Sequence, residues 1–122
     1  MKVEFSREVV FIPDFNKNKE LADDQQLKVK LKVMSLLDVL DLTDVLKNAG
    51  FDKGEVKDLT HDQMKMVVLE GGKYIPKYAT LIGNDGFTIE DVIGYATFFP
   101  LACDLLFNLL NNSTPSADDV KN

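Results

Sequence analysis

Cysteine and histidine each occur once in the 122 residues, and no apolar run approaches the about 18–20 residues that a membrane span needs. The single Cys103 excludes an intrachain disulfide and any cysteine-rich metal site. The single His61 leaves any histidine-based site dependent on carboxylates gathered around one imidazole. Positive charge is in deficit as well: 14 Lys and Arg face 20 Asp and Glu, for a net charge of -6 and a pI near 4.7. That balance disfavours a general nucleic-acid binder, which uses Lys and Arg to displace counterions from phosphates. It suits solubility and attraction to basic partners. The sequence holds neither G-x-G-x-x-G nor G-x-x-x-x-G-K-[ST], so no glycine-rich phosphate loop is expected; C-x-x-C and H-E-x-x-H are missing too. The opening MKVEFSREVVF is charged and alternating, without the apolar core of a signal peptide, and a cytoplasmic location is the expectation.

What is present reads as one globular α+β domain over residues 1–112, followed by a flexible polar tail over 113–122. A first strand is expected over roughly Lys2 to Ile12, with Val3, Phe5, Val9 and Phe11 on one face beside Arg7. In a second, Leu27, Val29, Leu31 and Val33 alternate with Lys28, Lys30 and Lys32, the period of a half-buried strand. The two are expected to form an antiparallel hairpin with the lysines near Glu4 and Glu8; a basic patch for a partner is the other use of that row. The link from Pro13 to Gln26 is polar and long for a hairpin. Four to five mostly short helices should cover the apolar sheet face. The first runs from an N-cap at Ser35 to a stop at Gly50, with Val39, Leu42, Leu46 and Ala49 as core stripe; Leu37 and Leu40 fall off it, through either a wide buried face or a binding patch. Thr60-x-x-Gln63 is a capping box before Met64, Val67 and Val68, in a helix ended by Gly71-Gly72. A short helix through Ile82 with Pro76 in its first turn, a Gly83–Gly86 turn and a helix capped by Thr88 follow. Pro100 predicts a break around Tyr95–Phe99 and a final helix that starts there.

Candidate chemistry is sparse. His61 follows the Thr60 cap, an exposed surface position, and a Cys103–His61 nucleophilic pair would need the thiol to ionise inside an apolar helix. Asp14-x-Asn16-x-Asn18 resembles the start of a calcium loop, but Lys19 and Gln25 stand where glycine and glutamate are required. Asp38, Asp41 and Asp44 read as a solvated helix face rather than paired acid–base groups. No catalytic, cofactor or metal residue is assigned.

The most informative segment is Phe98 to Leu110, FFPLACDLLFNLL, where only Asp104 and Asn108 interrupt the apolar character. A surface helix of a small domain has an apolar face about 100° wide. Phe99, Cys103, Leu106 and Leu110 make one stripe; Phe98, Leu101, Leu105 and Leu109 make a second. The fold covers both, or the second is left for a partner or another copy, which makes Phe98, Leu101, Leu105 and Leu109 the expected partner-binding residues.

The order of VVFIPDF, an acidic loop, LKVKLKV, YIPKY, a GNDG turn, TIEDV and FFPLACDLLFNLL resembles the small tail assembly chaperones of long-tailed bacteriophages, from Val3 to about Pro115. The resemblance implies a non-catalytic assembly role in the host cell cytoplasm. Such chaperones coat the aggregation-prone helical tape measure protein. A longer product, made by frameshifting near the end of the same gene, recruits tail tube subunits. No cofactor, nucleic acid or membrane enters this role, and homo-oligomers are compatible with it. Two other classes remain: a small virion component that forms a head–tail or tube-associated ring, and, further off, an acidic inhibitor of a host protein.

Overall fold

The alternation of Leu27, Val29 and Leu31 with lysines gives this segment one greasy and one wet side. In the structure, a computed structural model that describes residues 8–51, 59–83 and 86–113, it becomes the central strand of the sheet. Strand β1 (Glu8–Phe11) pairs antiparallel with β2 (Lys28–Lys32), setting Val9 opposite Leu31 and Phe11 opposite Val29. On the wet side Lys30 Nζ lies 3.4 Å from Glu8 and Lys28 Nζ 3.1 Å from Asp23, so two of the lysines face carboxylates of the same chain. The expected roles of Val3, Glu4, Phe5 and Arg7 lie outside the described residues.

The sheet has three strands, not the two of a lone hairpin. Residues expected to continue a helix through Ile82 form β3 (Ala79–Ile82), antiparallel to β2 on its other edge. Helix α3 (Tyr74–Tyr78) is one short turn, and Ala79 leaves it in extended backbone at φ -118°, ψ 139°. A helix so short has little cohesion of its own. Pairing sets Leu81 opposite Val29 and Ala79 opposite Leu31, where Ala79 is buried. A two-stranded ribbon is marginal in water, and the third strand completes an apolar face that helices can cover.

Helix α1 (Leu36–Asn48) begins as expected at Ser35, whose Oγ accepts from the Asp38 amide, and stops before Gly50 in the left-handed conformation at φ 86°. Helix α2 (His61–Met66) carries the full Thr60–Gln63 capping box and passes into a π-helical segment, Val67–Gly71. Helix α4 (Ile89–Gly94) is capped reciprocally by Thr88 and Asp91. A 3₁₀ turn over Ala96–Phe98 then breaks the chain direction, and α5 (Phe99–Ser113) opens with Pro100 in its first turn. This last helix reaches Ser113, one residue into the segment assigned to the tail, and the Ser113 hydroxyl accepts from the Met34 amide at 2.8 Å. Residues 114–122 of that expected tail lie outside the described residues.

The link between β1 and β2 is folded rather than open. Two short 3₁₀ turns, Phe15–Glu20 and Asp23–Gln25, surround the buried side chain of Asn18. Its amide donates to the carbonyls of Pro13 (2.8 Å) and Leu27 (2.9 Å), and its Oδ1 accepts from the Leu27 amide at 2.6 Å. Asn16 and Lys17 take positive φ, at 49° and 61°, to bring that side chain inward.

Helix α5 is the axis of the core, touching β2, α1, α3 and α4. Leu101, Leu105, Leu106 and Leu109 have no exposed surface. Replacing Leu105 by Ala should cost about 2–5 kcal/mol of unfolding free energy, the range for a buried leucine left as a cavity. Asn18→Ala removes three hydrogen bonds and leaves buried backbone groups unpaired, so a loss of about 2–4 kcal/mol is expected. Urea unfolding followed by circular dichroism measures both.

Candidate functional site

The residues expected to meet a partner are not on the surface. Leu101, Leu105 and Leu109 are wholly buried in the chain's own core, and half-buried Phe98 is held between Phe87 (ring centroids 4.5 Å apart) and Phe15 (5.8 Å). The reason is position. With β2 on one side and α1, α3 and α4 on others, the leucines of the second stripe and Cys103 and Leu106 of the first are consumed internally, while Phe99 at the helix start keeps accessible surface. On its remaining flank Phe107 meets Phe51 edge to face at 4.9 Å. Cys103 belongs to the same interior; burial, with Asp104 beside it, pushes its thiol up to about 12, so it is not a nucleophile at neutral pH. Burial likewise raises Asp104, opposed by the charge of Lys19 and by a hydrogen bond from Asn108.

Exposed apolar surface lies elsewhere. On α1, Leu42, Val45 and Leu46 turn inward, which leaves Leu36, Leu37 and Leu40 on the opposite side; Leu37 is 78% exposed. The departure of Leu37 and Leu40 from the core stripe was visible in the spacing. A second region is built by the π segment. Val67 and Gly71 face the core, where a Cβ at Gly71 would press within 3.2 Å of Leu106 Cδ1, and one at Gly72 would collide with the Val68 carbonyl oxygen. The wide turn thus brings the backbone close to α5 while Val68 and Leu69 face out, Leu69 with 68% of its surface accessible. π turns recur at functional sites.

Beside that turn lies an open groove of about 680 Å³, almost wholly apolar, between α2 with its π extension and the start of α5. Met64, Val68 and Leu69 form one wall, Ala96, Phe99 and Pro100 the other. His61 and Lys65 are the ionisable side chains in the lining. A smaller hollow of about 210 Å³ adjoins it, sharing Val68, Ala96 and Phe99 and reaching Tyr95 and Ile93. The larger groove is lined by two stretches, 61–69 and 96–100, some thirty positions apart, so periodicity within either one could not announce it.

Two of the α1 carboxylates, Asp38 and Asp41, serve a clamp between α1 and α3, while Asp44 stays on the exposed face as expected. Asp38 lies 2.7 Å from Lys77 Nζ and also accepts from the Tyr78 hydroxyl, which in turn accepts from the Ser35 amide at 3.2 Å. One turn on, Asp41 accepts from the Tyr74 hydroxyl and faces Lys73 at 3.7 Å. The hydrogen bonds from Lys77 and Tyr78 hold Asp38 below the usual carboxylate value, while burial and the bond to Asp41 raise the Tyr74 phenol. These groups are engaged with one another, which leaves them poorly placed to act on a substrate.

A carboxylate with a lowered folded value stabilises the fold above its unfolded value of about 3.9 and loses that contribution as pH falls through the folded one. Asp38→Asn should therefore flatten the acid limb of the stability profile below about pH 4, with little change in its shape above pH 5, read by urea midpoints across pH. Comparison of the chain with known protein families, with curated proteins and with solved structures found no match.

Proposed function

We propose that the chain is a non-catalytic tail assembly chaperone that binds and solubilises the tape measure protein and helps recruit tail tube subunits. The observation that carries this reading is an apolar groove, flanked by outward-facing Val68 and Leu69, on a chain whose core is already closed. The resemblance in the order of sequence pieces supplies the identity of the client. Burying Leu69, most of whose surface is accessible, against a client contributes about 1.5–3 kcal/mol before the costs of association, and the partly covered Met64, Val68 and Phe99 add less each. The net charge of -6 keeps such a complex soluble. A longer frameshifted product would carry the tube-recruiting part, and the work would be done in the host cell cytoplasm.

Co-expression with the tape measure protein of the same phage tests the reading. The expected result is a soluble complex that co-purifies, with the chain absent from finished particles. A tape measure protein that stays insoluble, with no complex recovered, contradicts it; recovery of the chain from mature particles identifies a virion component instead.

A further inference from the structure

We infer that the groove beside the π segment seats an amphipathic α-helix whose apolar stripe is bordered by carboxylates one helical turn apart. The inference rests on the client reading for its biological role, but its geometry stands on the groove itself. His61, Lys65 and Leu69 succeed one another at four-residue steps along one side of the groove, with Met64 and Val68 beside them. A stripe of two nitrogen bases thus runs alongside a stripe of apolar side chains. Among the described residues Lys65 makes no salt bridge, and no carboxylate enters the lining, in a chain with 20 acidic residues.

The conformation of the occupant follows from the walls. Both are helical, so their backbone groups are largely bonded within their own segments and few are free to pair with a strand. An extended peptide pressed into this groove would bury amides and carbonyls without partners, which is costly. A helix brings its own hydrogen bonds and offers apolar residues at i, i+3, i+4 and i+7. Carboxylates at i and i+4 on its edge match the spacing of His61 and Lys65, about 6 Å along a helix axis. The start of α5, at Phe99 and Pro100, adds the positive end of a helix dipole on the facing wall. The chain's overall negative charge does not forbid an acidic partner, because exposed charges farther than about 10 Å are screened at 0.1 M salt.

Two fluorescent helical peptides of about 18 residues, long enough to hold helix in water, test this. They share a leucine stripe and differ in having Glu or Lys at the two flanking positions. Fluorescence anisotropy with the native chain should show the Glu peptide binding about tenfold or more tighter than the Lys peptide, a preference that shrinks as salt rises. Lys65→Glu should reverse the order, and Leu69→Asp should weaken both peptides about tenfold or more. Because Leu69 is exposed, circular dichroism and melting of Leu69→Asp should match the native chain, so loss of binding is not loss of fold. Equal affinity for the two peptides, a preference unchanged in Lys65→Glu, or no binding of either peptide would overturn the inference. Retention of full-length tape measure protein by Leu69→Asp would overturn the groove as its seat and leave the chaperone reading standing. Failure of the native chain to retain that protein, with the peptide preference intact, would remove the chaperone reading alone.

Discussion

A helix that is apolar nearly all round has to be covered, and in this molecule its own chain does the covering. Helix α5 carries four leucines with no exposed surface, and the shape of the remainder follows from enclosing them. One side is met by β2, whose alternation supplies Val29 and Leu31 at full burial. The sheet needs β3 as well as β1, so Ala79–Ile82 pairs with β2 instead of prolonging α3. The other sides are met by α1, α3 and α4, elements too short to be stable except against a common centre. The break at Ala96–Phe98 lets α4 fold back over the helix that follows it.

That enclosure governs where function can lie. Side chains sealed around α5 are unavailable to a partner, and a client is left with apolar surface facing the other way. On α1 this is the row of Leu36, Leu37 and Leu40, set opposite the buried Leu42, Val45 and Leu46. At the π segment it is Val68 and Leu69, turned out because Gly71 and Gly72 bring the backbone hard against Leu106 and Ile93. Tight packing inside and exposed leucine outside are two results of one wide turn. The Asp38–Lys77 and Asp41–Tyr74 contacts hold α1 against α3, so that the outward faces keep a fixed relation to the core.

Local signals were legible in the sequence wherever a residue acts on its immediate neighbours. Ser35, Thr60 and Thr88 cap the helices they precede, Gly50 ends α1, and Pro100 sets the start of α5. The period-2 run before Met34 was equally plain, because alternation alone defines its two faces. What escaped depended on distant partners. Ala79–Ile82 reads as the tail of a helix until β2 offers it a register, and Asn18 reads as loop polarity until Pro13 and Leu27 enclose it. The second stripe of α5 read as surplus because three separate short elements, none strong alone, together cover it. The groove joins Leu69 to Phe99 across the fold, and no spacing within either helix could show it.

The measurement that bears most directly on the central claim is native-state hydrogen exchange resolved along α5. If the helix is the sealed axis of the core, amides from Leu101 to Leu109 should exchange only through global unfolding, with protection free energies equal to that from urea denaturation. Exchange of those amides through a local opening well below the global value, while β2 and α1 stay protected, would contradict the account and return α5 to the surface as a binding element.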